Sequence, residues 1–198
     1  MYKRQINNLS TGGPIAIKII NKDWKNWKDK EIEPFVVPRP GHADLVGTFK
    51  YQHDDIRLSL ERASARETAI RCAIGAICHQ ILNQLGVEVV GYVSSIGEQK
   101  LENINLEDIG QIKKLVDESE VSCPDKETSE LMINEILKAR KKKDTLGGSI
   151  TLVAKNFPAG CGSYVHFDRK LDAKLASSMM SVQSLSLIHI SEPTRPLH

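Results

Sequence analysis

The stretch ARETAIRCAIGAICHQILNQL, residues 65–85, decides the fold. It contains no proline, and its small and apolar side chains recur at the spacing of a helix. The alanines, Cys72 and Ile77 form one stripe, with Ile70, Ile74 and Ile81 beside it, so apolar residues cover most of the circumference. We therefore expect a helix that is buried on several sides and that ends at Gly86.

Segments on both sides of this helix favour strands. Residues 14–20 (PIAIKII) alternate isoleucine with alanine and lysine, which is typical of a strand with one apolar face. Residues 87–95 (VEVVGYVSS) and 149–156 (SITLVAKN) are rich in β-branched side chains and also favour strands. Residues 21–37 have no clean period, and we expect them to be irregular.

Three further helices are indicated by apolar periodicity. Asn105 is expected to cap the first, whose inward side chains are Ile109, Ile112, Leu115 and Val116. The second is expected over about residues 125–143, and its basic end complements the helix dipole. The third is expected to start near Asp168. Strands and helices are mixed and hairpin-length loops are few, so the class is α/β or α+β.

Composition argues against several classes of protein. The 198 residues carry a net charge of +2 and only 5% aromatic residues, which disfavours a nucleic-acid surface despite the basic run KARKKK. There is no apolar run long enough to span a membrane and no signal peptide, so we expect a cytoplasmic protein. The four cysteines are expected to be free thiols. No metal site is expected, because the histidines considered are scattered: His42, His53, His79 and His166.

The start of the central helix carries an unusual concentration of charge. Ser64 and Glu67 fit the capping box S-x-x-E, and a purely structural cap is one interpretation of this segment. Arg62 and Arg66 flank the cap, although cations are unfavourable at the N-terminus of a helix. A bound anion would resolve the conflict, because the free N–H groups, the dipole and the guanidinium groups all favour phosphate or carboxylate.

The stretch PRPGHADL, residues 38–45, adds a third guanidinium and a titratable group. Its prolines restrict the backbone around Arg39, and Gly41 lets a ligand approach closely. His42 can exchange a proton near neutral pH or simply bond to backbone, and Asp44 can orient the imidazole or form a local turn. These residues indicate a polyanion site with a proton-transfer histidine, but they do not name the reaction.

Several long motifs in this order resemble the chorismate synthase family. They are GGPIAIKIINKDWKNW (12–27), RPGHADL (39–45), KYQHDDIR (50–57), ERASARETAIR (61–71) and YVHFDRKLDAKLA (164–176). The resemblance covers about residues 8–184. It implies an α+β fold, a layered β-α-β sandwich with helices packed between antiparallel sheets, which we expect to be incomplete in this chain.

The resemblance also implies a reaction. The family catalyses the 1,4-trans elimination of phosphate from 5-enolpyruvylshikimate 3-phosphate to give chorismate, a carbon–oxygen lyase step of the shikimate pathway to aromatic amino acids. It requires reduced FMN, which the enzyme either makes for itself with NADPH or borrows. Family members are homotetramers, without nucleic-acid or membrane partners.

Individual site residues carry over from the same resemblance. His42 matches the histidine that protonates or holds the reduced flavin, and Arg39 and Arg66 match arginines that bind the anionic groups of the substrate. Cofactor contacts are implied for Arg62, Ala63, Ser64, Gln183 and Ser184. Ala63 stands where the family has a serine, so only a backbone contact would survive there. Gln183 and Ser184 stand where the family usually has Asn-Ala.

The chain also departs from the family. It lacks the early Gly-Glu-Ser-His segment and the C-terminal portion, so we expect residues 1–184 to be an internal part of a longer domain and inactive on their own. Residues 185–198 contain LSLIHISEPTR, which resembles a translated sequencing adapter and is expected not to be native. The alternative to an enzyme is a non-catalytic phosphate- or nucleotide-binding module that keeps the anion site but does not use His42 as an acid or base.

Overall fold

The computed structural model describes residues 5–6, 9–62 and 65–185. In chain order its strands and α-helices are β1 (Gln5–Ile6), β2 (Leu9–Ser10), α1 (Asp44–Tyr51), α2 (Arg57–Leu60), α3 (Ala65–Gln84), β3 (Glu88–Ile96), β4 (Gln99–Lys100), α4 (Ile109–Glu118), α5 (Lys126–Lys142), β5 (Gly148–Lys155) and α6 (Leu171–Met180). Two short 3-10 helices cover Lys22–Asn26 and Phe167–Arg169. The mixture confirms the α+β class.

The chain divides into two compact units. The first unit comprises residues 1–77 and 162–198, and the second unit comprises residues 78–161. Helix α3 begins in the first unit and ends in the second. In the first unit, β1 and β2 pair antiparallel as a small hairpin.

The second unit is built on a three-stranded antiparallel sheet in the order β4-β3-β5. Val90 and Tyr92 lie on one face of β3 and are buried against Ile109 and Ile112 of α4. Met132 of α5 is completely buried. These side chains form an apolar core, and they come from segments that the sequence predicted to be a strand and two helices.

Most of the predicted elements of the second unit are confirmed. The strands expected at 87–95 and 149–156 are β3 and β5, and the helix expected at 125–143 is α5. Asp125 caps α5, because its carboxylate accepts a hydrogen bond of 2.7 Å from the amide of Thr128. The predicted cap of α4 was wrong. Asp108 caps that helix by accepting from the amide of Gln111, whereas Asn105 accepts from the amide of Glu107 in the preceding turn.

The first unit is held together by polar and backbone contacts around two short helices. Helix α1 packs on α2, and Gly47 lies so close to Ser59 that a Cβ at position 47 would overlap the serine hydroxyl. Ile56 is buried, and its amide donates a hydrogen bond of 2.9 Å to the carbonyl of Phe35. This bond ties the irregular segment before residue 38 to the start of α2.

Two expectations for the first unit and for α3 were wrong. Residues 14–20 form no strand, and Ile15 and Ile19 are exposed, because no described strand lies beside them to complete a ladder. None of the described side chains of α3, which run from residue 67 to 84, is buried; Ile74 and Ile81 are about half exposed. A helix that is apolar all round is buried only when several other elements pack around it. The sequence of the helix shows its apolar surface but not whether those neighbours are present.

Helix α6 starts at Leu171 rather than near Asp168, because residues 167–169 form a 3-10 turn that precedes it. Within the described residues, no helix is long and apolar enough to cross a membrane.

Candidate active site

Arg39 and Asp44 close the PRPGHADL loop on itself. Asp44 is the first residue of α1, and its carboxylate is only 2% exposed. It accepts hydrogen bonds from three donors of Arg39: the backbone amide at 3.0 Å, Nε at 2.9 Å and Nη2 at 3.1 Å. The hydrogen bonds from the Arg39 side chain and amide lower the pKa of Asp44 to about 2, so the carboxylate is ionised at neutral pH.

This pairing uses one edge of the Arg39 guanidinium and leaves another available. The Nε and Nη2 edge faces Asp44, and the side chain as a whole is 47% exposed. Among the residues that the structure describes, Nη1 of Arg39 has no hydrogen-bond partner. Arg39 therefore keeps donors for an anion while its orientation is fixed by the pair.

The same loop holds the imidazole of His42. Nδ1 lies 2.9 Å from the carbonyl oxygen of Pro40, and the residue is exposed. Gly41, between them, has a φ of +69°, which favours glycine and turns the ring back onto the carbonyl. Because a carbonyl oxygen only accepts, Nδ1 carries a proton, and Nε2 of the neutral ring has a free lone pair. Asp44 pairs with Arg39 and forms no hydrogen bond with His42, so it does not orient the imidazole by a hydrogen bond of its own.

Two short helices connect the loop to Arg62, which precedes α3 in the chain. Helix α1 follows the loop, α2 packs on α1, and the amide of Arg62 donates to the carbonyl of Ser59 just after α2. Arg62 is exposed. A second ion pair, in which Arg57 donates from Nε to Asp55 at 2.7 Å, fixes the turn that enters α2.

Part of the predicted site cannot be described. Ala63 and Ser64 lie outside the described residues, and with them the predicted capping box. Arg66 lies in the first turn of α3, and only its backbone is described. The structure therefore leaves the proposed substrate and cofactor contacts of these three residues as predictions.

A polar network joins the first turns of α3 to the segment that follows α6. Glu67 accepts from Nε of Arg71 at 3.1 Å and from Nε2 of Gln183 at 3.0 Å. Thr68 donates to the amide oxygen of Gln183 at 3.4 Å, and Arg71 donates to the hydroxyl of Ser181 at 2.7 Å. Two segments more than a hundred residues apart in the chain are thus brought together at the helix start.

The charges of this network are coupled. The hydrogen bonds and charge of Arg71 lower the pKa of Glu67, and the hydrogen bond from Gln183 and the positive charge of Arg62 lower it further. Arg62 therefore acts electrostatically on the carboxylate that holds Gln183. Ser184, the next residue, is exposed and has a φ of +71°.

The structure thus shows two clusters in the first unit. Arg39 and His42 share the PRPGHADL loop, while Gln183 donates a hydrogen bond to Glu67, on whose carboxylate the charge of Arg62 also acts. Sequence reasoning missed the roles of Asp44, Glu67 and Arg71 in holding these side chains, although Glu67 and Arg71 stand at the i, i+4 spacing of a helical ion pair. In the described part of the chain, no group of three or more potential metal ligands is present.

The chain is similar to known proteins of one family. The family profile "Chorismate synthase" matches residues 5–194. A chorismate synthase of Bacillus licheniformis is 45% identical over 188 residues, which cover 88% of this chain and 48% of that protein. One of Endomicrobium trichonymphae is 44% identical over 200 residues, covering 96% of this chain and 51% of that protein.

A solved structure is also similar. The crystal structure of a chorismate synthase matches with a TM-score of 0.68 and 36% sequence identity, over 73% of this chain and 45% of that one. The chain spans about half the length of the curated relatives that it matches. The profile match includes the first ten residues of the segment 185–198, and whether that segment is native stays a prediction.

Proposed function

This chain belongs to the chorismate synthase family, and from that premise we propose that it supplies part of the active site of a chorismate synthase. The reaction is the 1,4-trans elimination of phosphate from 5-enolpyruvylshikimate 3-phosphate, which makes the complete protein a carbon–oxygen lyase. The observation that carries the proposal is the hydrogen bond from Gln183 to Glu67 at the start of α3, where the positive charge of Arg62 also acts on the Glu67 carboxylate. The resemblance assigned Arg62 and Gln183 to one cofactor site.

The donor set at the start of α3 fits reduced FMN. Arg62 offers an exposed guanidinium at the start of a helix, where a phosphate group is favoured by both charge and dipole. The amide of Gln183 is held in a fixed orientation by Glu67 and Thr68. Ala63 and Ser64 lie between Arg62 and α3 and would add contacts. When bound, reduced FMN supplies electron density that stabilises electron deficiency in the substrate ring.

The loop residues provide the remaining functions. Arg39, through the guanidinium donors that Asp44 leaves available, and Arg66 bind the anionic groups of the substrate and stabilise the negative charge that develops on the leaving phosphate. His42 exchanges a proton at Nε2, the ring nitrogen opposite the Pro40 contact. The family premise further supports a homotetramer in the cytoplasm, with NADPH as a candidate reductant of the flavin.

The decisive test compares binding with turnover. We would complete the chain with the remaining segments of the Bacillus licheniformis relative and replace His42 by alanine. Retained binding of reduced FMN and substrate together with lost chorismate formation is the expected result. If the completed wild-type chain binds phosphate ligands but forms no chorismate, the non-catalytic binding module is the better account.

The matched control is His79→Ala, because His79 lies on α3 and its Nδ1 contacts Asn83 at 3.3 Å, away from the PRPGHADL loop in sequence and in hydrogen bonding. This variant is expected to keep turnover. Equal loss of turnover in both histidine variants would contradict a specific role for His42.

A further inference from the structure

The PRPGHADL loop has few bonds to hold its shape. Apart from the contact of His42 with Pro40 and the helical bond from the Gly47 amide to the Ala43 carbonyl, the described hydrogen bonds of residues 38–43 all end on Asp44. Neither proline can donate from its backbone nitrogen. The conformation of the loop therefore depends on one carboxylate.

Asp44 is itself firmly placed. It begins α1, its carbonyl accepts from the hydroxyl of Thr48 at 2.9 Å, and its side chain is buried. Its carboxylate accepts hydrogen bonds from both the backbone and the side chain of Arg39, so the two ends of the segment 39–44 are fixed to each other. His42 and the Pro40 carbonyl lie inside the segment that is closed in this way.

We propose that Asp44 is a positioning residue, which closes the loop through Arg39 and thereby holds His42 against the Pro40 carbonyl with Nδ1 protonated and Nε2 free to exchange a proton. No hydrogen bond joins Asp44 to the imidazole. The two groups interact directly only through their charges, so the hydrogen-bonded route from Asp44 to His42 runs through the loop. The assignment of His42 as the proton-exchanging group rests on the proposed function, but the placement of its ring by Asp44 does not.

The consequence concerns which ring nitrogen carries the proton. A neutral imidazole has one N–H, and the hydrogen bond of the other nitrogen decides where it is. With Nδ1 donating to Pro40, a proton that arrives at or leaves Nε2 converts the ring between its neutral and cationic forms without moving the Nδ1 proton. Without the closed loop, the ring loses the acceptor that selects this tautomer.

The test measures the tautomer directly in the completed protein, in which this chain is joined to the remaining segments of the Bacillus licheniformis relative. The 15N resonances of the His42 ring would be recorded without ligand at a pH where the ring is neutral. In the wild-type chain we expect a protonated Nδ1 and an unprotonated Nε2. In Asp44→Ala we expect the Nε2 resonance to shift toward the protonated position and the Nδ1 resonance to shift in the opposite direction.

The matched control is Asp55→Ala. Asp55 is also an aspartate in the first unit whose carboxylate accepts from an arginine Nε and from backbone amides, those of Phe35 and Arg57. It forms no described bond to residues 38–43, so its removal is expected to leave the His42 ring resonances in place. A shift of His42 as large as that caused by Asp44→Ala would show a general loosening and overturn the proposal.

Two further outcomes would overturn it. One is a wild-type His42 that is protonated mainly on Nε2. The other is an unchanged tautomer in Asp44→Ala while the amide resonances of α1 and α2 remain those of the folded chain. Should Asp44→Ala unfold the first unit, Asp44→Asn takes its place. Its amide oxygen still accepts from Arg39 but lacks the charge, so a smaller shift in the same direction supports the proposal and no shift overturns it.

Failure of the proposed function can be distinguished from failure of the proposed role of Asp44. The same samples would be titrated anaerobically with reduced FMN. The expected tautomer response without any FMN binding by the completed protein would defeat the proposed function and leave the role of Asp44 intact. FMN binding and turnover without a tautomer response would defeat the role of Asp44 alone.

Discussion

Residues 78–161 and residues 38–62 are stabilised in opposite ways. The second unit buries Val90, Tyr92, Ile109 and Ile112 in one apolar cluster between a sheet and a helix. The segment 38–62 buries one large apolar side chain, Ile56, together with the polar Asp44 and Ser59. The same segment contains the ion pairs Arg39–Asp44 and Arg57–Asp55.

The difference bears on where the candidate site residues lie. An apolar core tolerates no solvent, whereas the polar segment holds exposed charged groups in fixed positions through neighbouring charges. Binding and catalytic loops are drawn from parts of a protein with few buried apolar contacts. The candidate site residues Arg39, His42 and Arg62 all lie in the polar segment, and the apolar cluster contains none of them.

The largest effect is expected from truncating the apolar cluster. Ile112 is 3% exposed, so Ile112→Ala removes contacts and leaves a cavity, and it is expected to lower the free energy of unfolding of the second unit by ~2–5 kcal/mol. Urea denaturation followed by the amide resonances of β3 measures the loss. The matched control is Ile150→Ala on β5, where the side chain is 48% exposed and the loss is expected to be much smaller. Similar losses would show that the two regions of the second unit do not differ in packing.

The sequence predicted the apolar part of the fold better than the polar part. The β-branched content of β3 and β5 and the apolar period of α5 are local signals, and such signals suffice for elements that pack within one unit. The strand expected at 14–20 has the right alternation but lacks a described partner, because pairing is a property of two segments. Helix α1 was missed, since the loop prediction extended over its first residues.

For the candidate site, too, the sequence predicted some features and not others. Residue type and the family resemblance predicted Arg39, His42, Arg62 and Gln183 as site residues, but they could not show which neighbours hold each side chain. The bond from Gln183 to Glu67 joins residues 116 apart in the chain, and no local signal marks such a pair. Asp44 was given two possible local roles, and its bond to Arg39 became clear only from the geometry.

The next largest effect is expected at the contact of α1 with α2. Gly47→Ala places a Cβ against the hydroxyl of Ser59, and overpacking of this kind costs typically ~1–3 kcal/mol. Thermal unfolding of the first unit, followed through the amide of Ile56, measures it. Gly75→Ala on α3 meets no atom within 4 Å and should instead be neutral or stabilising, because alanine favours a helix over glycine. Destabilisation by Gly75→Ala as large as that by Gly47→Ala would contradict the tight contact.

A smaller effect is expected at the cap of α4. Asp108→Ala removes the acceptor of the Gln111 amide and is expected to cost ~0.5–2 kcal/mol in the second unit. Asn105→Ala removes only the acceptor of the Glu107 amide in a turn, and its cost should be lower. Chemical denaturation of both variants ranks the two residues. A larger loss for Asn105→Ala would restore the cap expected from the sequence and contradict the observed one.

The smallest effect is expected on the stability of the two regions at acid pH, where they differ because only the segment 38–62 contains the two ion-paired aspartates. The pKa of Asp44 and that of Asp55 are each lowered from 3.8 to about 2, chiefly by the hydrogen bonds of Arg39 and Arg57. Because the folded-state values are depressed, both carboxylates stabilise the first unit above a pH of about 3.8, and this contribution is lost as the pH falls toward 2. In the second unit, Asp125 also has a lowered pKa, but its partner is the neutral Thr128.

Amide hydrogen exchange between those two pH values therefore distinguishes the regions. After correction for intrinsic exchange rates, the amide of Ile56 is expected to lose protection before that of Ile112. Asp44→Asn and Asp55→Asn should each flatten the pH dependence at Ile56, whereas substitution of Asp54, an exposed neighbour, should leave its slope unchanged. The effect is modest because ion pairs near the surface are screened by salt. Equal acid sensitivity at Ile56 and Ile112 would mean that ion pairs do not set the stability of the polar segment, and the contrast with the apolar cluster would then have to rest on packing alone.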